Sequence, residues 1–252
     1  MGSLRLEHTP ANSFPRGYGI SLIYKKCPVA YTLLTVSSFC HFAMLYLKQV
    51  VYHPPAVTQP ILKNLDLQLE AQQLGLIVGM SGAGKTTLLE ILAGLAEVNS
   101  GEIYWQEQFL TPLHLQQLGG LVFQFPERHF CGSTIAEELR LGHPEIKTEQ
   151  IREALQEVGL AHLPLNTAPF NLSGGQQRRL ALAVQLIRQP YLLLLDEPTA
   201  GLDWSMRSQL VALLKRLKKH WTLLIVTHDA TELKTIADRA WRLVEGKLVP
   251  LS

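Results

Sequence analysis

Leu74-Gly75-Leu76-Ile77-Val78-Gly79-Met80-Ser81-Gly82-Ala83-Gly84-Lys85-Thr86-Thr87-Leu88-Leu89 is the stretch on which the fold turns. Leu74 to Val78 is a short apolar run that reads as a buried strand, and Thr86 to Leu95 sets Leu88, Leu89, Leu92 and Leu95 at helical spacing. Between them, Gly79 to Thr86 matches GxxxxGK[ST], with the strand before it and the helix after it that give the pattern its meaning. Glycines let backbone N–H groups curl around an anion, and the helix points its positive end at the same place. The stretch predicts a phosphate cradle made by Gly79, Met80, Ser81, Gly82, Ala83 and Gly84, with Thr87 in the turn behind it. Lys85 would put its ammonium on β and γ oxygens, and the Thr86 hydroxyl would ligate Mg²⁺.

The second half of such a site is expected downstream. Leu192 to Leu195 reads as a fully buried strand that delivers Asp196 and Glu197 at its end. Ligands of open α/β sheets bind at those carboxyl ends. One carboxylate near Mg²⁺ and one facing the γ-phosphate would be a metal partner and a general base, with Asp196 and Glu197 the pair available.

The rest of the chain repeats the strand–helix alternation. Strands are expected near Leu45–Tyr52, Ile61–Glu70, Ile103–Trp105, Leu118–Gln124 and Leu223–Thr227. Helices are expected over Ile135–Leu141, Glu149–Val158, Gln176–Arg188, Trp204–His220 and Ala230–Ala237, and a closing hairpin over Trp241–Val249 turning at Glu245-Gly246. Apolar strands alternating with helices imply parallel strands covered on both faces, an α/β fold. One catalytic domain over residues 44–252, with a helical part inserted near residues 127–170, accounts for the pattern.

Composition bounds the function. The 252 residues (28.2 kDa) are 47% hydrophobic and 17% charged, which suits a buried core and excludes a disordered, collagen-like or coiled-coil chain. Lys and Arg number 23 against 21 Asp and Glu, so no general basic field points to nucleic acid. The three cysteines, Cys27, Cys40 and Cys131, have no CxxC spacing, which argues against a disulfide scaffold and for a reducing compartment. Residues 1–43 read differently: Arg5, Arg16, Lys25 and Lys26 stand against Glu7 alone, and no helical period is visible. From Val29 to Leu47 there is no Asp, Glu, Lys or Arg, a run long enough to span a bilayer, yet its end merges with the first expected strand. A disordered tail, an organelle-targeting peptide, a membrane anchor and a true start at Met44 are the readings of this extension.

Asn171-Leu172-Ser173-Gly174-Gly175-Gln176-Gln177-Arg178-Arg179 resembles the LSGGQ signature of ABC ATPases, a far more specific marker than the phosphate loop. Further landmarks of that family follow in order. Gln124 at a strand end is similar to its Q-loop, Ala200-Gly201-Leu202-Asp203 to its D-loop, and Thr227-His228-Asp229 to its switch histidine. Tyr52 falls where the family sets an aromatic ring against adenine, with Tyr46 and His53 the nearby alternatives. The resemblance covers roughly residues 45–250. Gln124-Phe125-Pro126-Glu127 followed by Phe130 resembles the ATPases of energy-coupling factor transporters for cobalt, nickel and vitamins, with Trp204 in place of the proline common there.

The resemblance implies a P-loop NTPase of ABC type: a mostly parallel sheet core, an N-terminal antiparallel β part and an inserted helical subdomain. It implies ATP and Mg²⁺ as ligands and ATP hydrolysis as the activity. Two ATPase domains, identical or paralogous, would pair head to tail. Leu172, Ser173, Gly174, Gly175 and Gln176 would then meet the partner's ATP. Glu197 would activate water, His228 would hold the γ-phosphate, Gln124 would sense Mg²⁺ and water, and Asp203 would link the two sites. A polytopic membrane subunit is the other implied partner. That places the chain at the cytoplasmic face of a membrane, or on the stromal side if it is plastid-targeted. The exposed edge expected to meet that subunit is Phe125, Arg128, His129 and Phe130, the alternative being that Phe125 and Phe130 pack inside the helical part. A soluble ABC ATPase of iron–sulfur assembly is the alternative function.

Overall fold

The computed structural model describes residues 44–251 except residue 56. The readings of residues 1–43 therefore lie outside the described residues. The end of the uncharged run does not: Leu45 and Leu47 are fully buried in the first strand, so those two residues belong to a sheet.

Two sheets organise the chain. Strands β1 (Leu45–Tyr52), β2 (Leu62–Leu69), β4 (Ser100–Trp105) and β5 (Gln108–Phe109) form an antiparallel sheet in the order β2-β1-β4-β5. Leu65, Leu67 and Leu69 of β2 are buried and alternate with more exposed neighbours, as the sequence alternation predicts. The second sheet has six strands: β3 (Leu74–Val78), β6 (Gly119–Val122), β7 (Leu192–Asp196), β8 (Thr222–Thr227), β9 (Arg239–Val244) and β10 (Lys247–Pro250). Their order is β10-β9-β3-β8-β7-β6, and every pair but β10–β9 is parallel.

The leucine run of β7 is buried on both faces because the pleat sends alternate residues to different cores. Leu192 and Leu194 join a core with Ile77, Leu88, Leu92, Leu224 and the inner face of the antiparallel sheet. Leu193 and Leu195 join a second core with Leu76, Ile225 and the remaining helices. Helix α1 (Lys85–Leu92) lies in the first core. Helices α3 (Ile135–Arg140), α4 (Thr148–Glu157), α5 (Gly174–Leu186) and α6 (Trp204–Leu217) lie in the second.

Three expectations are corrected. Ala230–Ala237 is not a helix; only Leu233–Thr235 makes a short 3₁₀ turn. Asp229 takes both the backbone N–H and the hydroxyl of Thr231 at 3.1 and 2.7 Å, an Asx turn that competes with helix, and Asp238 is already tied to the Leu74 N–H at 2.7 Å. Pro112–Leu118 is a helix, α2, where no helix is expected. Its signal is local: Thr111 caps it by accepting from the His114 N–H, with Pro112 in the first turn. Leu118 therefore ends a helix, and β6 begins only at Gly119. Phe130, finally, is no exposed edge: it is 8% exposed and packs in the second core with Ile135 and Leu139.

Candidate active site

The phosphate loop leaves β3 at Val78 and enters α1 at Lys85. Gly82 and Gly84 have φ of +79° and +97°, a left-handed backbone that glycine adopts without penalty. At Gly84 space is also short, since an added Cβ would lie 2.8 Å from Ile61 Cγ2. Gly84 caps α1 with no side chain to bond the first N–H groups, so this helix start is open to an anion. Met80 is 84% exposed at the tip of the loop. The Lys85 Nζ donates to the carbonyl oxygens of Gly79 and Met80 at 2.8 and 3.1 Å.

Across the loop stand the two carboxylates at the end of β7, Asp196 as its last residue and Glu197 just after it. The Thr86 hydroxyl donates to Asp196 Oδ2 at 2.7 Å. Burial raises the Asp196 pKa above the ordinary carboxylate value, and the Thr86 hydrogen bond works against that rise. Glu197 is 6% exposed and well partnered. Its Oε2 accepts from the Thr227 hydroxyl at 2.8 Å and lies 2.9 Å from His228 Nδ1, while Oε1 is 3.6 Å from Lys85 Nζ. Glu197 also has φ of +45°, a conformation that costs a side-chain-bearing residue about 1–2 kcal/mol. Such strain persists where the surroundings over-determine it, and it collects at functional sites.

The structure brings Lys85, Thr86, Asp196, Glu197 and His228 together, five residues drawn from three separate segments of the chain. Gln124 lies just past β6, beside them in the sheet, since Val122 pairs with Leu195. Tyr52 ends β1 paired with Leu62, and Leu62 Cδ2 would be 3.1 Å from a Cβ on Gly84, so the ring's strand end borders the loop. Asp203 caps α6 by accepting from the Met206 N–H at 2.8 Å, a contact worth about 0.5–2 kcal/mol.

The LSGGQ segment stands apart from this cluster. Ser173 caps α5 in a capping box: its hydroxyl accepts from the Gln176 N–H at 3.3 Å, and Gln176 Oε1 accepts from the Ser173 N–H at 2.9 Å. Leu172 is buried. The two glycines differ: Gly174 faces open space, whereas a Cβ on Gly175 would be 3.2 Å from Met206 Sδ. Because α5 belongs to one core and α1 to the other, the signature helix and the phosphate-loop helix cover opposite faces of the parallel sheet.

Two contributors escape sequence reasoning. Thr227 is a fully buried hydroxyl aimed at Glu197. Arg178 is a buried guanidinium behind the carboxylates, and its signal was available: Gly175, Arg178 and Leu182 fall on one face of α5, all buried.

Similarity to known proteins supplies the family. The ABC transporter family model matches residues 62–200. The chain belongs to the ABC transporter ATPases. It is 42% identical to "ABC transporter I family member 11, chloroplastic" of Arabidopsis thaliana, over 82% of this chain and 80% of that protein. It is 34% identical to the energy-coupling factor transporter ATP-binding protein EcfA2 of Streptococcus sanguinis, over 81% and 79%. The structure of cbiO1 from Clostridium perfringens, described as part of the ABC transporter complex cbiONQ, superposes with a TM-score of 0.75 at 28% identity, covering 82% of this chain and 87% of that one. This ABC ATPase is thus an ATP-binding, ATP-hydrolysing subunit of a transporter. Among its described residues no helix is long and apolar enough to cross a membrane.

Proposed function

We propose that this ABC ATPase powers an importer of the energy-coupling factor type, docked at the face of a membrane on a polytopic subunit and paired head to tail with a second ABC ATPase. The observation that carries the catalytic part is the caged Glu197 carboxylate, held by Thr227 and His228 beside Lys85 and one residue from the Asp196–Thr86 contact. In this reading Lys85 exchanges Glu197 and its loop carbonyls for the β and γ oxygens of ATP. Gly79 to Thr87 wrap the phosphates with backbone N–H groups, and Tyr52 stacks on the adenine. Glu197 takes a proton from water as the water oxygen bonds to the γ-phosphorus. The bond to the β-phosphate oxygen breaks, and ADP and phosphate leave. His228 orients the carboxylate and meets the γ-phosphate.

Thr86 and Asp196 supply two hard oxygen donors in contact, the number a protein commonly gives to Mg²⁺ when phosphates and water complete the shell. They fit the ion, with Gln124 beside them at the end of β6. When bound, Mg²⁺ would offset charge developing on the phosphate oxygens.

The pairing rests on the opposite placement of α1 and α5, because a helix on the far face of the sheet is poorly placed to reach its own chain's phosphates. A second chain would bring Leu172 to Gln176 to the open side of the nucleotide, and Asp203 would lie between the two sites. The 227–229 and 124–129 segments stand at the same sheet end, which suits coupling to a membrane subunit. The test is Glu197→Gln. The amide keeps the shape and cannot take the proton, so ATP binding should survive while hydrolysis falls by about 10²–10⁴-fold. Gel filtration with ATP and Mg²⁺ should trap a dimer, with itself or with a paralogue; monomer in every combination would sink the pairing.

A further inference from the structure

Arg178 connects the signature helix to the backbone that carries the Glu197 carboxylate. It sits one turn after Gly175 on α5 and is 7% exposed. One guanidinium nitrogen, Nη1, donates to the carbonyl oxygens of Glu197 and Pro198 at 3.2 and 2.7 Å, and the other, Nη2, donates to that of Ala200. Those carbonyls belong to the turn leaving β7, which the Ala200 N–H also closes onto Glu197 O at 3.1 Å. The partners of the Glu197 carboxylate itself are Thr227, His228 and Lys85. Arg178 is not among them; it grips the backbone from which the carboxylate hangs, at the residue with φ of +45°.

The same guanidinium faces the segment after Gln124. The 3₁₀ turn Pro126–His129 packs on α5, and Pro126, Arg178, Leu195 and Pro198 border one small apolar cavity. Burial lowers the arginine's pKa and the Glu127 carboxylate works against that fall; a guanidinium is basic enough to stay charged in either case. A planar fork can satisfy three converging carbonyls at once, and a lysine ammonium on a flexible stem holds no such geometry.

We propose that Arg178 is a positioning residue for Glu197: its fork locks the Glu197–Ala200 turn to α5, so that the helix offering Ser173 to the partner's nucleotide also sets the aim of its own chain's base. This rests on the reading of Glu197 as the general base. A displacement of α5, whether from the partner's nucleotide or from the 126–129 turn, moves the Glu197 backbone with it. The two catalytic halves of one chain are thereby mechanically joined through a single side chain.

The experiment uses the full chain. Arg178→Lys keeps the charge and loses the fork; ATP hydrolysis should fall by about 10–100-fold in kcat, the scale of a displacement near 1 Å. The affinity for a fluorescent ATP analogue should stay within about twofold, because the phosphate loop is untouched. In the Glu197→Gln background the same substitution should leave the residual single-turnover rate unchanged, since the group it positions is gone. Leu182→Ala, beside the same cavity, is the control for lost packing. If it lowers kcat as much at equal loss of melting temperature, or if Arg178→Lys slows both backgrounds alike, Arg178 is only a brace. Parental kcat for Arg178→Lys with an inert Glu197→Gln overturns the positioning role alone. Parental hydrolysis by Glu197→Gln overturns the base assignment and this inference together.

Discussion

His228 Nδ1 lies 2.9 Å from Glu197 Oε2, although the two residues close different strands of the parallel sheet. The His228 side chain is 59% exposed and that of Glu197 only 8%, so one partner is open to an incoming ligand while the other is anchored. His228→Ala should therefore cost only about 1 kcal/mol of stability, the scale of one lost hydrogen bond, because Thr227 still holds the buried carboxylate. It should lower kcat by about 10²-fold while nucleotide still binds, through loss of the carboxylate's orientation and of a phosphate contact. Equilibrium melting together with steady-state kinetics separates the two effects; a large stability loss with unchanged kcat would make the histidine structural.

Lys85→Ala should weaken nucleotide binding. The ammonium is the cation that the loop carries, and it makes charge-assisted hydrogen bonds to two loop carbonyls. Replacing charged bonds worth about 1.5–3 kcal/mol predicts roughly 10–150-fold weaker ATP binding. Titration calorimetry that finds parental affinity would refute the phosphate-loop assignment.

Arg128 is exposed on the turn after Gln124 and lies 4.7 Å above the Phe125 ring. With Phe130 buried, Arg128 and His129 are the exposed part of the edge proposed to meet the membrane subunit. Arg128→Glu should leave basal ATPase of the isolated chain intact and weaken co-purification with that subunit, since a rim charge mainly steers association. Lost basal ATPase with intact assembly would place the docking edge elsewhere.

Asp229 supplies a pH test. The Thr231 hydrogen bonds, and then Arg207 at 2.9 Å, hold its carboxyl below the ordinary 3.8. A carboxyl depressed on folding adds stability above its unfolded value, and that stability is lost as pH falls through the folded value. The pair is about one-third exposed and screened, so it is worth about 0.2–1 kcal/mol. Asp229→Asn should melt about 1–3 °C below the parent at pH 7, with the gap closing as pH drops well below 3.8. A gap of equal size at both pH values would assign the effect to geometry and not to charge.

Local patterns made most of the fold legible. The phosphate loop reads from contiguous residues because strand, glycines and helix start are neighbours in the chain. The four leucines before Asp196 read as a two-faced strand, and the alternation in β2 reads as a one-faced one. The misses have local competitors: the Asp229 carboxylate ends the helical spacing of Ala230–Ala237, and Thr111 with Pro112 starts a helix inside polar sequence. Phe130 could not be placed from spacing, because an aromatic beside charges packs inward only if a neighbouring helix covers it.

By itself the sequence determined the chemistry on offer: a cation and hydroxyl at a helix start, two acids at a strand end, a histidine after another strand, and a signature segment. These are properties of runs of a few residues, set by residue type and spacing. Only the tertiary structure decided which groups meet. Glu197 is caged by residues from α1 and the end of β8, and its backbone is gripped from α5. Parallel strands bring their carboxyl ends to one edge whatever their distance in the chain, and sheet order, which no local pattern encodes, selects the neighbours.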